Sequence, residues 1–322
     1  MLYPLEFVPV MQDYLWGGRQ LAEVLGKPLP DSQRAAESWE VVDHAEAQSV
    51  VASGPLAGKT LGELVRQHGR DLLGAAGQST TERFPLLLKY LDCNRDLSVQ
   101  VHPDDRYAAT LDPPDLGKTE AWYIVDAQPG SKLYAGLKSG VDREALAAAV
   151  QAGQTDRVLH ELQPQPGDCV FIPAGTVHAL GAGLLVAEIQ QASNTTFRLF
   201  DWNRVGPDGQ PRPLHIQQAL EVTDYDRGPV DRQTPQAEEG GWQRLVDCDK
   251  FTLQKGQGED ALEVSQRDAF SLLTVPAGKA TLVWQGGRTP LAAGRSLLVP
   301  AVCGGYEVRL DQPGTVVLRI DP

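Results

Sequence analysis

Six histidines occur among 322 residues, few enough for each to be weighed by its surroundings. His102 closes the run Ser98-Val-Gln100-Val-His102-Pro103. Alternation along a strand sets Ser98, Gln100 and His102 on one face, with Val99 and Val101 on the other. Three polar side chains on one face of an otherwise apolar strand either meet solvent or line a polar interior. His178 follows the turn Pro173-Ala-Gly175 and enters a strand at its mouth, while Glu120 ends the turn Gly117-Lys-Thr-Glu. Two imidazoles, a carboxylate and an amide oxygen make a four-ligand N/O set for a divalent metal. That set suits zinc best and admits manganese or cobalt.

The remaining histidines read as ordinary. His68 falls mid-helix, His160 in a Val158–Leu162 turn, and His215 at the start of a helix after two prolines. His44 follows Asp43 at a strand end, where it could support a ligand without being one. Positive charge gathers near the candidate ligands as Lys118, Lys89 and Arg198. Any one of these is more commonly an ion-pair partner, but a basic pocket beside a metal would focus a small anion such as a phosphate ester.

The elements that must position these groups are short strands. Examples are Glu40–Asp43, Gln48–Ala52, Leu86–Leu91, Ser98–His102, Trp122–Val125, Cys169–Ile172, Leu184–Ile189, Thr195–Trp202 and Phe270–Val275. One helix spans Thr60–Leu73, opened by a Thr60-x-x-Glu63 capping box and closed by Gly74. A helix pair is expected over Val141–Leu162, broken at Gly153, and a short helix over His215–Val222. The frame Gly167-x5-Pro173 recurs as Gly294-x5-Pro300, each after a run of comparable strands. Two β-sandwich domains of related design follow, the second with Tyr306 near the place of the histidine. The polar, Pro- and Gly-rich stretch Tyr225–Gly241 reads as a linker.

Composition narrows the partners. Lys plus Arg number 29 and Asp plus Glu 42, a net charge of −13, which disfavours a polyanion such as nucleic acid. No apolar run approaches the roughly 20 residues of a membrane helix. Met1–Met11 carries Glu6 and no basic residue, so it does not read as a signal peptide. Cys93, Cys169, Cys248 and Cys303 form no CxxC pair and read as reduced, mostly buried thiols of a cytoplasmic protein.

The hairpin Gly167–His178 resembles the second motif of the cupin superfamily, whose fold is a jelly roll or double-stranded β-helix. The first cupin motif is altered, with Gln100-Val-His102 in place of His-x-His and the glutamate displaced to Glu120. Together with Leu97–Asp105, Gly117–Tyr123, Trp16-Gly-Gly18, Glu37-Ser-Trp39 and Arg212–His215, this resembles type I mannose-6-phosphate isomerase in its short bacterial form. The resemblance implies a mainly β fold of two cupin domains with a few accessory helices on the first. Residues 1–225 are then the catalytic domain, 226–241 the linker and 242–322 a second, metal-free domain.

The same resemblance implies one zinc ion held by Gln100, His102, Glu120 and His178. Arg198 and Lys118 match the family's catalytic arginine and active-site lysine, and Ser98 a serine at the phosphate end. Lys89 and Glu188 complete the expected substrate-binding set. The general base is unassigned, with Glu188 and a metal-bound water as candidates. Asn194 stands where the family often has aspartate, and an amide cannot serve as a base. The implied reaction interconverts mannose 6-phosphate and fructose 6-phosphate through a cis-enediol(ate), in a monomer or homodimer. Two rivals are a non-catalytic sugar-phosphate-binding cupin and a metal-dependent cupin oxygenase. Gln100 at the first ligand position argues against the oxygenase.

Overall fold

The computed structural model describes residues 2–75, 83–206, 209–258 and 261–322. Its long strands are buried on both faces, and alternation sends their side chains into two different cores. In Leu86–Cys93, Leu86, Leu88 and Tyr90 enter one core, Leu91 and Cys93 the other. In Leu184–Gln191, Leu185, Ala187 and Ile189 join the first, Leu184 and Val186 the second. Strands buried on both sides carry near-continuous apolar runs, as these do.

Four sheets account for most of the mainly β chain. A six-stranded sheet runs in the order Cys169–Ile172, Glu120–Ala127, Leu184–Gln191, Leu86–Cys93, Glu37–Val41, Val10–Gln12. It faces a five-stranded sheet ordered Leu159–Leu162, Leu133–Leu137, His178–Leu180, Val99–Val101, Phe197–Phe200. Trp122, Val170 and Val186 from one meet Leu133, Ala135 and Leu180 from the other. A second sandwich pairs a six-stranded sheet with a four-stranded one. The six-stranded order is Ser296–Val299, Ser271–Ala277, Val316–Asp321, Thr252–Gln257, Trp242–Asp247, Gln236–Ala237. Read from its Gly-x5-Pro strand inward, this repeats the connectivity of the first six-stranded sheet.

The two six-stranded sheets lie back to back. Leu88, Tyr90, Tyr123 and Ala187 share one core with Leu253, Leu272, Leu298 and Leu318. The Tyr90 hydroxyl and Thr274 Oγ1 meet at 2.6 Å across it. Leu5 also pairs with Leu298, so the start of the chain is stitched to the second sandwich.

Two helices cover the outer face of the five-stranded sheet, and a third packs into the core shared by the six-stranded sheets. Leu61–Leu73 begins with the Thr60/Glu63 capping box and ends at Gly74. Arg143–Gln151 is capped by Asp142, and Ile216–Val222 follows His215. The second member of the expected helix pair is not a helix. Thr155–Val158 is one 3-10 turn, and Leu159–Leu162 is a strand paired with Leu133–Leu137. The reason is packing: Leu159 and Leu162 enter cores on opposite sides of the five-stranded sheet. Residues three apart share a helix face but oppose one another on a strand.

The Tyr225–Gly241 segment is tied down along its course. Val230 donates its N–H to the Ala135 carbonyl at 3.1 Å and Gln233 to that of Cys169 at 2.8 Å. The four cysteines are free, with Cys93, Cys169 and Cys303 buried. Among the described residues, no helix is long and apolar enough to cross a membrane.

Candidate active site

Pairing register brings the candidate residues together. His178 lies opposite Gln100, Glu188 opposite both Lys89 and Trp122, and Arg198 also opposite Gln100. Glu120, Lys89 and Glu188 point inward from the six-stranded sheet. Ser98, Gln100, His102, His178 and Arg198 point inward from the facing one, so the polar face of Ser98–His102 lines an interior. Two glycines permit the close turns: Gly175, at φ +85°, shapes the approach to His178, and a Cβ on Gly117 would lie 2.4 Å from the Asp105 nitrogen.

At the base, His102, Glu120 and His178 are 1%, 0% and 1% exposed. Their potential ligand atoms all lie within 4.8 Å of one another. His102 Nδ1 sits 2.9 Å from the Thr195 carbonyl, and His178 Nδ1 sits 2.8 Å from that of Thr176. A carbonyl only accepts, so both protons reside on Nδ1 and both Nε2 atoms keep a lone pair that faces the cluster. Those Nε2 atoms lie 3.5 and 3.4 Å from Oε2 and Oε1 of Glu120. Neither Glu120 oxygen, though buried, accepts an aligned hydrogen bond. The Gln100 amide is 3.3 Å from His178 Nε2, and rotation of its last torsion presents its oxygen instead. Lone pairs converging on an under-satisfied buried carboxylate form a cradle for a cation.

Electrostatics agree with that reading. Burial, with Lys118 nearby, holds His102 well below its ordinary range, and burial takes His178 down to about 4. Both imidazoles are therefore neutral at physiological pH, as metal binding would require. Burial, reinforced by Glu188, pushes the Glu120 carboxyl up to about 7 against the opposing pull of Lys118. Lys118 Nζ is 2.9 Å from Glu120 and 3.1 Å from His102 Nε2.

Above the base, Lys118, Glu188, Lys89 and Glu37 alternate in charge. Lys89 is 2.9 Å from Glu188 and 3.3 Å from Glu37, and Lys118 is 3.9 Å from Glu188. Burial alone would lower Lys89, but Glu188 and Glu37 raise it, so it stays an ammonium. Burial would raise Glu188, but Lys89 and Lys118 lower it, and Trp122 Nε1 donates to it at 3.0 Å. Arg198 is oriented by Ser98 Oγ at 3.2 Å and the Pro213 carbonyl at 3.0 Å.

These groups border a cavity of about 280 Å³ whose lining includes Ser98, Gln100, Lys118, His178, Glu188 and Arg198. Lys89 and Asn194 line it too, and Tyr14, Trp16 and Arg212 form further wall. A wider cleft of about 780 Å³, beside Asp104–Tyr107 and Lys250, is lined by none of His102, Glu120 and His178. Sequence reasoning assigned no role to Glu37, Trp122 or Thr195. Glu37-Ser-Trp39 was visible as a motif, but its contact with Lys89 depends on sheet order. Asn194 donates to Glu46 and so is held as an amide at the wall.

Comparison with known proteins agrees with this geometry. A family model described as phosphomannose isomerase type I, catalytic domain, matches residues 5–127. The probable mannose-6-phosphate isomerase GmuF of Bacillus subtilis is 37% identical over 96% of each chain. Mannose-6-phosphate isomerase ManA of the same organism is 37% identical over 95% of each. A crystal structure of the mannose 6-phosphate isomerase from Bacillus subtilis superposes with TM-score 0.89 at 31% identity, covering 100% of both chains.

Proposed function

The chain belongs to the type I mannose-6-phosphate isomerase family, and we propose that one zinc ion in the first sandwich serves its reaction. The ligands are Gln100, His102, Glu120 and His178. The observation that carries this reading is the pair of neutral buried imidazoles whose Nε2 atoms face the under-satisfied Glu120 carboxylate. When bound, zinc supplies Lewis acidity toward oxygens that gain negative charge.

The reaction interconverts mannose 6-phosphate and fructose 6-phosphate. A proton leaves C2 of the open-chain aldose and one returns to C1, through a cis-enediol(ate) whose charge develops on O1 and O2. Arg198 is held by Ser98 and Pro213 before substrate arrives, so its charge meets that development with little reorganisation. Arg212 extends the cationic wall toward the phosphate, and the Ser98 hydroxyl adds a neutral hydrogen-bonding group there. Lys118 binds the sugar oxygens at the base and is placed to share in proton transfer. Lys89 stays charged between two carboxylates and holds Glu188 in place. Glu188 faces the cavity as a carboxylate and is a candidate to receive the C2 proton.

The domain division follows the same reading: residues 1–225 catalyse, 226–241 connect while adding the edge strand Gln236–Ala237 to the second sandwich, and 242–322 form a metal-free cupin-like partner. Free cysteines suit a cytoplasmic enzyme. Incubating the purified protein with mannose 6-phosphate, without O2 or a redox cofactor, should yield fructose 6-phosphate. A zinc-loaded, folded protein that binds the sugar phosphate without turnover would instead be the non-catalytic cupin.

A further inference from the structure

We infer that Asp115 is a positioning residue for His102, acting through the loop Ser193–Thr195; this rests on His102 being a zinc ligand. Asp115 is neither among the clustered ligands nor in the wall of the catalytic cavity. Its Oδ2 accepts from Ser193 Oγ at 2.8 Å, Thr195 Oγ1 at 2.8 Å and the Asn194 N–H at 3.3 Å. Its Oδ1 accepts from Arg83 at 2.8 Å, and His44 Nε2 stands 3.7 Å away. One carboxylate thus binds three consecutive residues of a loop that belongs to no strand.

That loop carries the acceptor on which His102 depends. The Thr195 carbonyl receives the Nδ1 proton of His102 at 2.9 Å. The contact fixes the imidazole tautomer and aims its Nε2 lone pair at the cluster with Glu120. In a strand, neighbouring ladder bonds would hold such a carbonyl; here Asp115 holds the loop through Ser193, Asn194 and Thr195. Burial alone would raise the Asp115 carboxyl, but donation from His44, Arg83, Ser193 and Thr195 holds it well below the ordinary carboxylate range. The anchor therefore stays charged throughout the working pH range. Asp115 also lies five residues before Glu120, so one side chain ties the segment leading to one ligand to the loop that orients another.

The test is zinc affinity, read by competition with a chromophoric chelator on stripped and reloaded full-length protein. D115A should weaken zinc binding about 10–100-fold, the range for lost outer hydrogen bonds to a ligating histidine. The double variant S193A/T195V leaves Asp115 and Arg83 in place and removes two loop ties, so it should show a loss of the same kind. D115N retains an acceptor oxygen and should recover part of the affinity. At saturating zinc, D115A should regain most of its kcat, and its His102 Nδ1 proton should be broadened in the NMR spectrum. D115A and S193A/T195V retaining parental zinc affinity, while H102A loses it, would overturn the inference. Should D115A fail to fold, the double variant decides. A parent protein that takes up no zinc would overturn the zinc reading itself, and this inference with it.

Discussion

The two sandwiches share a strand order but differ in what their interiors demand. Register matches many positions of one to positions of the other, although Phe197–Phe200 has no counterpart in the four-stranded sheet. His178 opposes Gln100, as Tyr306 opposes Val264. Glu120 opposes Ile172, as Ser271 opposes Val299. Glu188 lies between Trp122 and Lys89, as Arg319 lies between Leu273 and Gln254. In the first sandwich the result is a buried carboxylate facing two imidazole lone pairs. In the second, Ser271 Oγ donates to Asp321 at 2.6 Å and Arg319 Nε to the same carboxylate at 2.9 Å. Arg267 reaches Asp321 as well, at 2.6 Å. There the negative charge is met by the chain's own guanidinium groups. The first interior pairs its carboxylates with lysines and keeps two imidazole lone pairs and a cavity beside them, and the second is closed by its own side chains.

The most disruptive way to break this contrast is to give the first interior the residue of the second. H178Y should abolish zinc retention and lower turnover by at least about 10²-fold. Its circular dichroism should stay native, because the sandwich core is apolar. A variant that retains zinc would show that His178 is no ligand. Next, R198A should lower kcat by about 10²–10³-fold with zinc content unchanged, separating the charge-stabilising wall from the metal base. A change confined to KM would mean that Arg198 only binds. In the second sandwich, D321A leaves buried Arg319 without its carboxylate and should cost about 3–5 kcal/mol. That loss is read from the urea unfolding midpoint, while zinc affinity and kcat of the folded fraction stay parental. Lost zinc affinity there would mean that the two interiors are not independent.

The smallest effect is a proton count. Glu120, raised to about 7, carries a proton below that pH which an arriving ion must displace, whereas His178 at about 4 is already neutral. Zinc uptake should therefore release about one proton at pH 6 and progressively fewer toward pH 8. Calorimetry in buffers of different ionisation enthalpy reads this directly. Release that grows with pH would contradict the assignment, and E120Q should remove it.

Much of this contrast was legible in the chain. The alternation Ser98, Gln100, His102 announced a polar strand face, and the repeated Gly-x5-Pro frame announced a repeated sandwich. Absence of histidine after His215 already denied the second interior an imidazole site. What stayed hidden depends on which strands become neighbours. Lys89 and Glu188 are distant in sequence and meet only because their strands pair. Asp115 reaches Thr195 through a loop with no periodic signal. Leu159–Leu162 was misread because four residues with apolar ends fit a helix turn as well as a strand, and only the two cores on either side decide.

Metal removal tests the first interior most directly. Chelator-stripped protein, verified free of metal by elemental analysis, should show no conversion of mannose 6-phosphate. Adding one equivalent of zinc should restore it. Full activity in the verified metal-free protein would show that the first interior works without a metal ion.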